Sequence, residues 1–131
     1  MPRSTKEFFL SKKNKELFKV AIGNDQVCIA KSILLNNGII DLTKKEFNFF
    51  ITTSVSLGRT DMVSLLLEKY CFLINESNNS YLLKMAYYQE KKVILNILWK
   101  NNIIRESLKV DNQYLHDKIL KEITKKKVLI F

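Results

Sequence analysis

With 131 residues, 47% of them apolar and 27% charged, the chain is long enough to bury roughly two-thirds of its unfolded surface in one domain and too apolar to be disordered. The formal charge of +9 comes from 19 Lys and 3 Arg against 13 acids, which favours anionic partners but does not bear on the fold. No run reaches the roughly 18 apolar residues of a membrane span, and the start, MPRSTKEFFLSKKNKE, lacks the apolar stretch of a secretory signal.

Cys28 and Cys71 stand apart from one another without C-x-x-C spacing and read as reduced core residues, so a cytoplasmic protein is expected. Three glycines and a single proline, Pro2, favour helices joined by short turns. Ser4-x-x-Glu7 has capping-box form and opens a helix near 4–13, and a second runs near 15–22 up to Gly23-Asn24-Asp25. A third, near 26–36, closes at Asn36-Asn37-Gly38. Thr43-x-x-Glu46, again a capping box, opens a fourth near 44–57. After Gly58-Arg59, with Thr60 or Asp61 as N-cap, comes a fifth near 61–70. The break from Asn75 to Ser80 supplies Asn79 as a cap for a sixth near 80–89. A seventh near 91–100 ends at Asn101-Asn102, and Asp111 or Asn112 caps the last, near 112–126. Residues 1–45 carry a net +5, residues 46–90 a net −2 and residues 91–131 a net +6. A near-neutral middle between basic ends suits a stack with solvated end layers.

Eight short helices in so small a chain prompt a search for an internal repeat. LFKVAIGND (Leu17 to Asp25), FITTSVSLG (Phe50 to Gly58) and LLKMAYYQE (Leu82 to Glu90) start 33 and then 32 residues apart. In register, their first column is Leu17, Phe50 and Leu82, and their second is Phe18, Ile51 and Leu83. The third is Lys19, Thr52 and Lys84, and the fifth is the small set Ala21, Ser54 and Ala86. Each stretch is followed by a helix with a bulky triplet: Ile33-Leu34-Leu35, Leu65-Leu66-Leu67 and Ile97-Leu98-Trp99. A small residue between large ones lets one helix approach its copy closely.

This pattern resembles the ankyrin repeat, most closely from Ser54 through Gly58 to SLLLEKY (Ser64 to Tyr70). The resemblance covers residues 15–111 as three repeats, and the offsets match that family's period of about 33. No T-P-L-H opening appears, and only the middle repeat has the inter-helix glycine, so a HEAT-like or irregular stack of helix pairs is the alternative architecture. The fold class expected is all-α: short helix pairs stacked as an ankyrin-like solenoid with helical caps. Residues 4–14 form an N-terminal capping helix, 15–46, 47–79 and 80–111 the repeats, and 112–131 a C-terminal cap and basic tail. Lys118, with Asp117 beside it, would occupy the small column in the cap, so no further layer is expected to pack there.

Catalytic motifs are not found in the sequence. His116 is the only histidine and reads as a surface residue, and there is no P-loop, G-x-G-x-x-G or nucleophile elbow. No cofactor or metal is expected. Trp99 reads as core, and at most Tyr88 of the Tyr87-Tyr88 pair is exposed. In the C-terminal KKKVLIF the lysines read as solvated, with Val128 to Phe131 folded back or free to dock.

What the resemblance implies is a non-enzymatic protein-binding scaffold that uses its inner-helix face. That face would carry Lys15, Lys19, Asn48, Thr52, Ser56, Lys84, Tyr88 and His116, with Lys19 and Lys84 of the polar column touching no core neighbour. Such a surface fits an acidic partner protein, which the chain would mask or inhibit, as a toxin-neutralising immunity protein or a host-interaction protein does. It would be monomeric alone and heteromeric with its partner. Nucleic-acid binding through the basic C-terminal end is the alternative, weakened by the use of lysine rather than arginine.

Overall fold

The computed structural model describes residues 5–74 and 79–128. Ser4, the break at 75–78 and the end of the KKKVLIF tail lie outside the described residues. Every regular element among the described residues is helical. They are α1 (Thr5–Gly23), α2 (Val27–Asn37), α3 (Lys44–Ser56), α4 (Thr60–Tyr70, continued by a 3-10 turn over Cys71–Leu73), α5 (Asn79–Tyr88), α6 (Lys92–Trp99), α7 (Asn102–Asp111) and α8 (Gln113–Val128).

The helices form hairpins: α1 packs on α2, α3 on α4, α5 on α6 and α7 on α8. Successive hairpins meet through α2 on α4, α4 on α6, α3 on α5 and α5 on α7. The stretch GRTDMVSLLLEKY is therefore apolar for a structural reason. Its helix α4 touches α2, α3 and α6, and Met62, Val63, Leu65 and Leu66 are buried.

Three turns share one geometry. At the first, the N–H of Asp25 donates to the Ile22 carbonyl and that of Gln26 to the Ala21 carbonyl. At the second, Gly58 donates to Val55 and Arg59 to Ser54; at the third, Glu90 donates to Tyr87 and Lys91 to Ala86. This is the Schellman pair of bonds, which satisfies the last carbonyls of a helix and needs a left-handed residue just beyond it. That residue is Asp25 (φ 56°), Gly58 (φ 71°) or Glu90 (φ 57°). The next residue, Gln26, Arg59 or Lys91, is the N-cap of the outgoing helix, with φ/ψ of −92/74°, −83/75° and −89/78° respectively.

The repeat columns acquire physical roles from this geometry. Ala21, Ser54 and Ala86 are all buried and their carbonyls accept the closing bonds. Phe18, Ile51 and Leu83 lie behind them in the core. First-column residues are buried in the second and third repeats, Phe50 7% and Leu82 4% exposed, whereas Leu17 in the first is 49% exposed.

The next column ties the hairpins together. Arg59 Nη1 donates to the Gly23 carbonyl at 3.1 Å and to that of Ile22 at 3.4 Å, and Lys91 Nζ donates to the Ser56 carbonyl at 2.8 Å. In both cases a base of one turn bonds the C-terminal carbonyls of the first helix of the preceding hairpin, α1 or α3, where the helix dipole also favours a cation. The linker between the first two hairpins is held by Tyr70, whose buried hydroxyl donates to the Ile40 carbonyl at 2.6 Å while its ring packs on Phe18 and Phe47. Burial pushes its pKa up to about 12.

Several expectations are corrected. The helices expected at 4–13 and 15–22 are one continuous α1. With no glycine or proline between them, Ser11 to Lys15 has nothing to break a helix, and Asn14 bonds across to Asn37 of α2 at 3.1 Å. Residues 102–111, to which no helix was assigned, form α7, capped by Asn101 accepting from the Ile104 N–H. Helix α7 therefore packs on α5 in the place expected for the 112–126 cap helix. The N-cap of α4 is Arg59, not Thr60 or Asp61, because the Schellman bond already holds that residue. Cys28 and Cys71 are exposed rather than core. The Thr43–Glu46 capping box and the Asn112 cap, which accepts from the Leu115 N–H, are present as expected.

Two substitutions test the turn. Glu90→Gly should stabilise by up to about 1 kcal/mol, since only glycine adopts a positive φ without a Cβ penalty. Ala86→Leu should over-pack the small column and cost about 1–3 kcal/mol. Urea melts of both variants check these opposite signs.

Candidate interaction surface

The predicted inner-face residues come from four helices, and the structure gives them different roles. Lys15 and Lys19 of α1 converge on Glu46 of α3, at 3.0 Å and 2.9 Å, and Lys19 also lies 3.9 Å from Glu16. Glu46 is positioned by its own capping box: Oε1 accepts the Thr43 N–H at 2.9 Å, and its N–H donates to Thr43 Oγ1 at 3.1 Å. That backbone bond, then Lys19 and Lys15, lower the carboxyl pKa to about 2 against the opposing effect of burial. The hydrogen bond and charge of Glu46 raise the pKa of Lys19 in return.

Lys84 of α5 pairs with Asp111 at the end of α7, and this bond holds the Asp111 carboxyl below its usual range. The lysines of the polar column are thus ion-paired between helices of successive hairpins. Asn48, Thr52 and Ser56 are half-buried on α3. Tyr88 is 69% exposed and stacks edge-on against Tyr87, with ring centroids 5.4 Å apart.

His116 is not on this face and not on the surface. It is buried, with its ring 5.0 Å from that of Trp99 and Nδ1 3.0 Å from Asp117 Oδ1. The place beside α5 belongs to α7, so the 32-to-33-residue register does not carry through to α8. Trp99 is buried, as expected.

The residues missed by the sequence reading lie beyond Tyr88. A groove of about 690 Å³ runs between the end of α5, the third turn and the start of α6 on one side and α8 on the other. Its floor includes Ala86, Leu95 and Ile123, and its lining carries Lys91, Lys92, Lys118 and Lys125 against Glu90 and Glu122. Tyr87 is fixed across it: its hydroxyl donates to Glu122 Oε1 at 3.1 Å, and Lys118 Nζ sits 5.8 Å from its ring centroid. A second groove, about 560 Å³, follows the first two turns and has Asp25 and Asp61 beside Arg59, with no aromatic lining. A basic residue directly after the left-handed position in the second and third repeats was the available signal for Arg59 and Lys91. The groove itself had none, because α8 follows a helix that the sequence reading left out.

Among the described residues no three His, Cys, Asp or Glu side chains gather as metal ligands, and no helix is long and apolar enough to cross a membrane. No family model, no curated protein and no solved structure matches the chain.

Glu46 gives the pH dependence a definite sign. Its folded-state pKa of about 2 lies below the ordinary 4.5, so its stabilisation is fully present above pH 4.5 and lost as pH falls through about 2. Glu46→Gln, which keeps an acceptor for the Thr43 N–H, should cost about 1 kcal/mol at pH 7. Its denaturation midpoint should converge on that of the parent as pH approaches 2.

Proposed function

We propose that this chain is a non-enzymatic interaction module, an ankyrin-like stack of helical hairpins that binds and masks an acidic surface of a partner protein. The observation that carries this reading is the threefold repetition of one turn, with the same bonds and the same dihedral angles, at the 33- and 32-residue offsets of the sequence repeat. Repeated hairpins of this kind build extended surfaces for partners without needing a catalytic centre. A toxin-neutralising immunity protein or a host-interaction protein is the kind of molecule this describes, acting in the cytoplasm as a monomer that becomes a heteromer on binding.

The geometry moves the partner-facing surface within that reading. Lys15, Lys19 and Lys84 hold neighbouring helices together, so reversing their charge would set like charges beside Glu46 and Asp111 and weaken the fold. The net positive charge of residues 91–131, +6 by sequence, is the better attractor for an acidic surface. The same charge is what favours the second reading, nucleic-acid binding through α8.

A salt series separates the two. Partner recovered from the source organism with the full chain as bait should associate more slowly as ionic strength rises, because complementary charge acts mainly on the association rate. Duplex and single-stranded oligonucleotides, titrated in parallel, should bind weakly and without length dependence. Tight oligonucleotide binding, with log affinity falling linearly against log salt, would replace the first reading by the second.

A further inference from the structure

We propose that the groove between the third turn and α8 docks an acidic peptide segment that carries one large apolar side chain. This rests on the reading of the chain as a protein-binding module and assigns the site of that activity.

Charge complementarity defines the occupant. Lys91 is engaged with the Ser56 carbonyl, but no ion pair among the described residues holds Lys92, Lys118 or Lys125. These three lysines surround a floor that is apolar at Ala86, Leu95 and Ile123. Lysines beside apolar side chains favour a ligand that brings carboxylates and an apolar anchor together. Tyr88, 69% exposed, stands at the rim, and aromatic side chains are the usual anchors of such contacts. Its neighbour Tyr87 is braced from α8 by both Glu122 and Lys118, so the wall is formed before anything binds, which lowers the ordering cost of association.

Size and the distribution of acids distinguish a peptide from a nucleic acid. A volume of about 690 Å³ is that of a pocket for a side chain and a short stretch of backbone. Glu90 and Glu122 lie within the lining, where they would repel a continuous phosphate backbone but tolerate discrete carboxylates placed opposite the lysines.

The test is selection of a random-peptide display library on the full-length protein. Enriched peptides should be acidic, with one aromatic or long aliphatic residue. Lys118→Glu with Lys125→Glu should weaken a synthetic enriched peptide by about tenfold or more, a change equivalent to 1.4 kcal/mol. Tyr88→Ala should weaken it to a similar degree. Lys31→Glu with Lys44→Glu, exposed positions on α2 and α3, should leave binding within about twofold. Should the first pair compromise folding, as judged by circular dichroism, Lys92→Glu with Tyr88→Ala serves in its place. Peptides that bind equally well to the groove variants, peptides that are neutral or basic, or no enrichment at all would overturn the docking site while leaving the module reading intact. Tight, salt-dependent oligonucleotide binding lost in the Lys118/Lys125 variant would overturn both.

Discussion

The bond from the backbone N–H at Gln26, Arg59 or Lys91 to the carbonyl at Ala21, Ser54 or Ala86 is the constraint on which the rest of the structure depends. It closes each incoming helix, forces one residue into the left-handed region and makes the next residue the N-cap of the outgoing helix. Because the accepting residue is small, the chain reverses close against its neighbour. Because the donating residue is Arg59 or Lys91 in the second and third turns, the same position reaches back to the carbonyl end of the first helix of the preceding hairpin. One local hydrogen-bond pattern therefore sets both the angle within a hairpin and the attachment between hairpins. That is the coupling of layers through nearest neighbours on which repeat stacks rely.

This division of labour bears on function. The ion pairs at Glu46 and Asp111 bring Lys15, Lys19 and Lys84 into the joints between hairpins. Charge that looks available in the sequence is thereby neutralised at close range, and Tyr88 is left as the exposed feature of that face. Where α8 lies alongside the third turn, Lys92 and Lys125 line a groove without an ion pair among the described residues, and Lys118 sits over the Tyr87 ring. A lysine-lined groove thus arises where the repeat ends, and its aromatic wall is held by contacts between α5 and α8.

Much of this fold was legible in the sequence, for identifiable reasons. The small column and the paired bulky columns are local, periodic and repeated, so Ala21, Ser54 and Ala86, and behind them Phe18, Ile51 and Leu83, could be placed in the core from spacing alone. The Thr43–Glu46 capping box is equally local. Helix α7 was hidden because only Ile104 and Leu108 of its ten residues are buried, a stripe too short to stand out among Arg105, Glu106 and Lys109. Its omission misplaced His116, since a fourth inner helix was then sought in α8. The cross-layer pairs were illegible for a different reason. Lys19 and Glu46, or Lys84 and Asp111, are distant in sequence, and no periodicity states which charge meets which. The exposed cysteines show the same limit: Cys28 and Cys71 sit in apolar runs where Ala30, Tyr70 and Ile74 are buried but Ile29 and Phe72 are exposed as well.

Amide hydrogen exchange at Gln26, Arg59 and Lys91 tests the common turn most directly. All three amides donate the bond that closes a turn on a buried residue, so their exchange should be slowed to the same degree as that of amides in the middle of α3 and α5. Exchange at the rate of an exposed loop at any one of the three would contradict a repeated turn as the unit from which this protein is built.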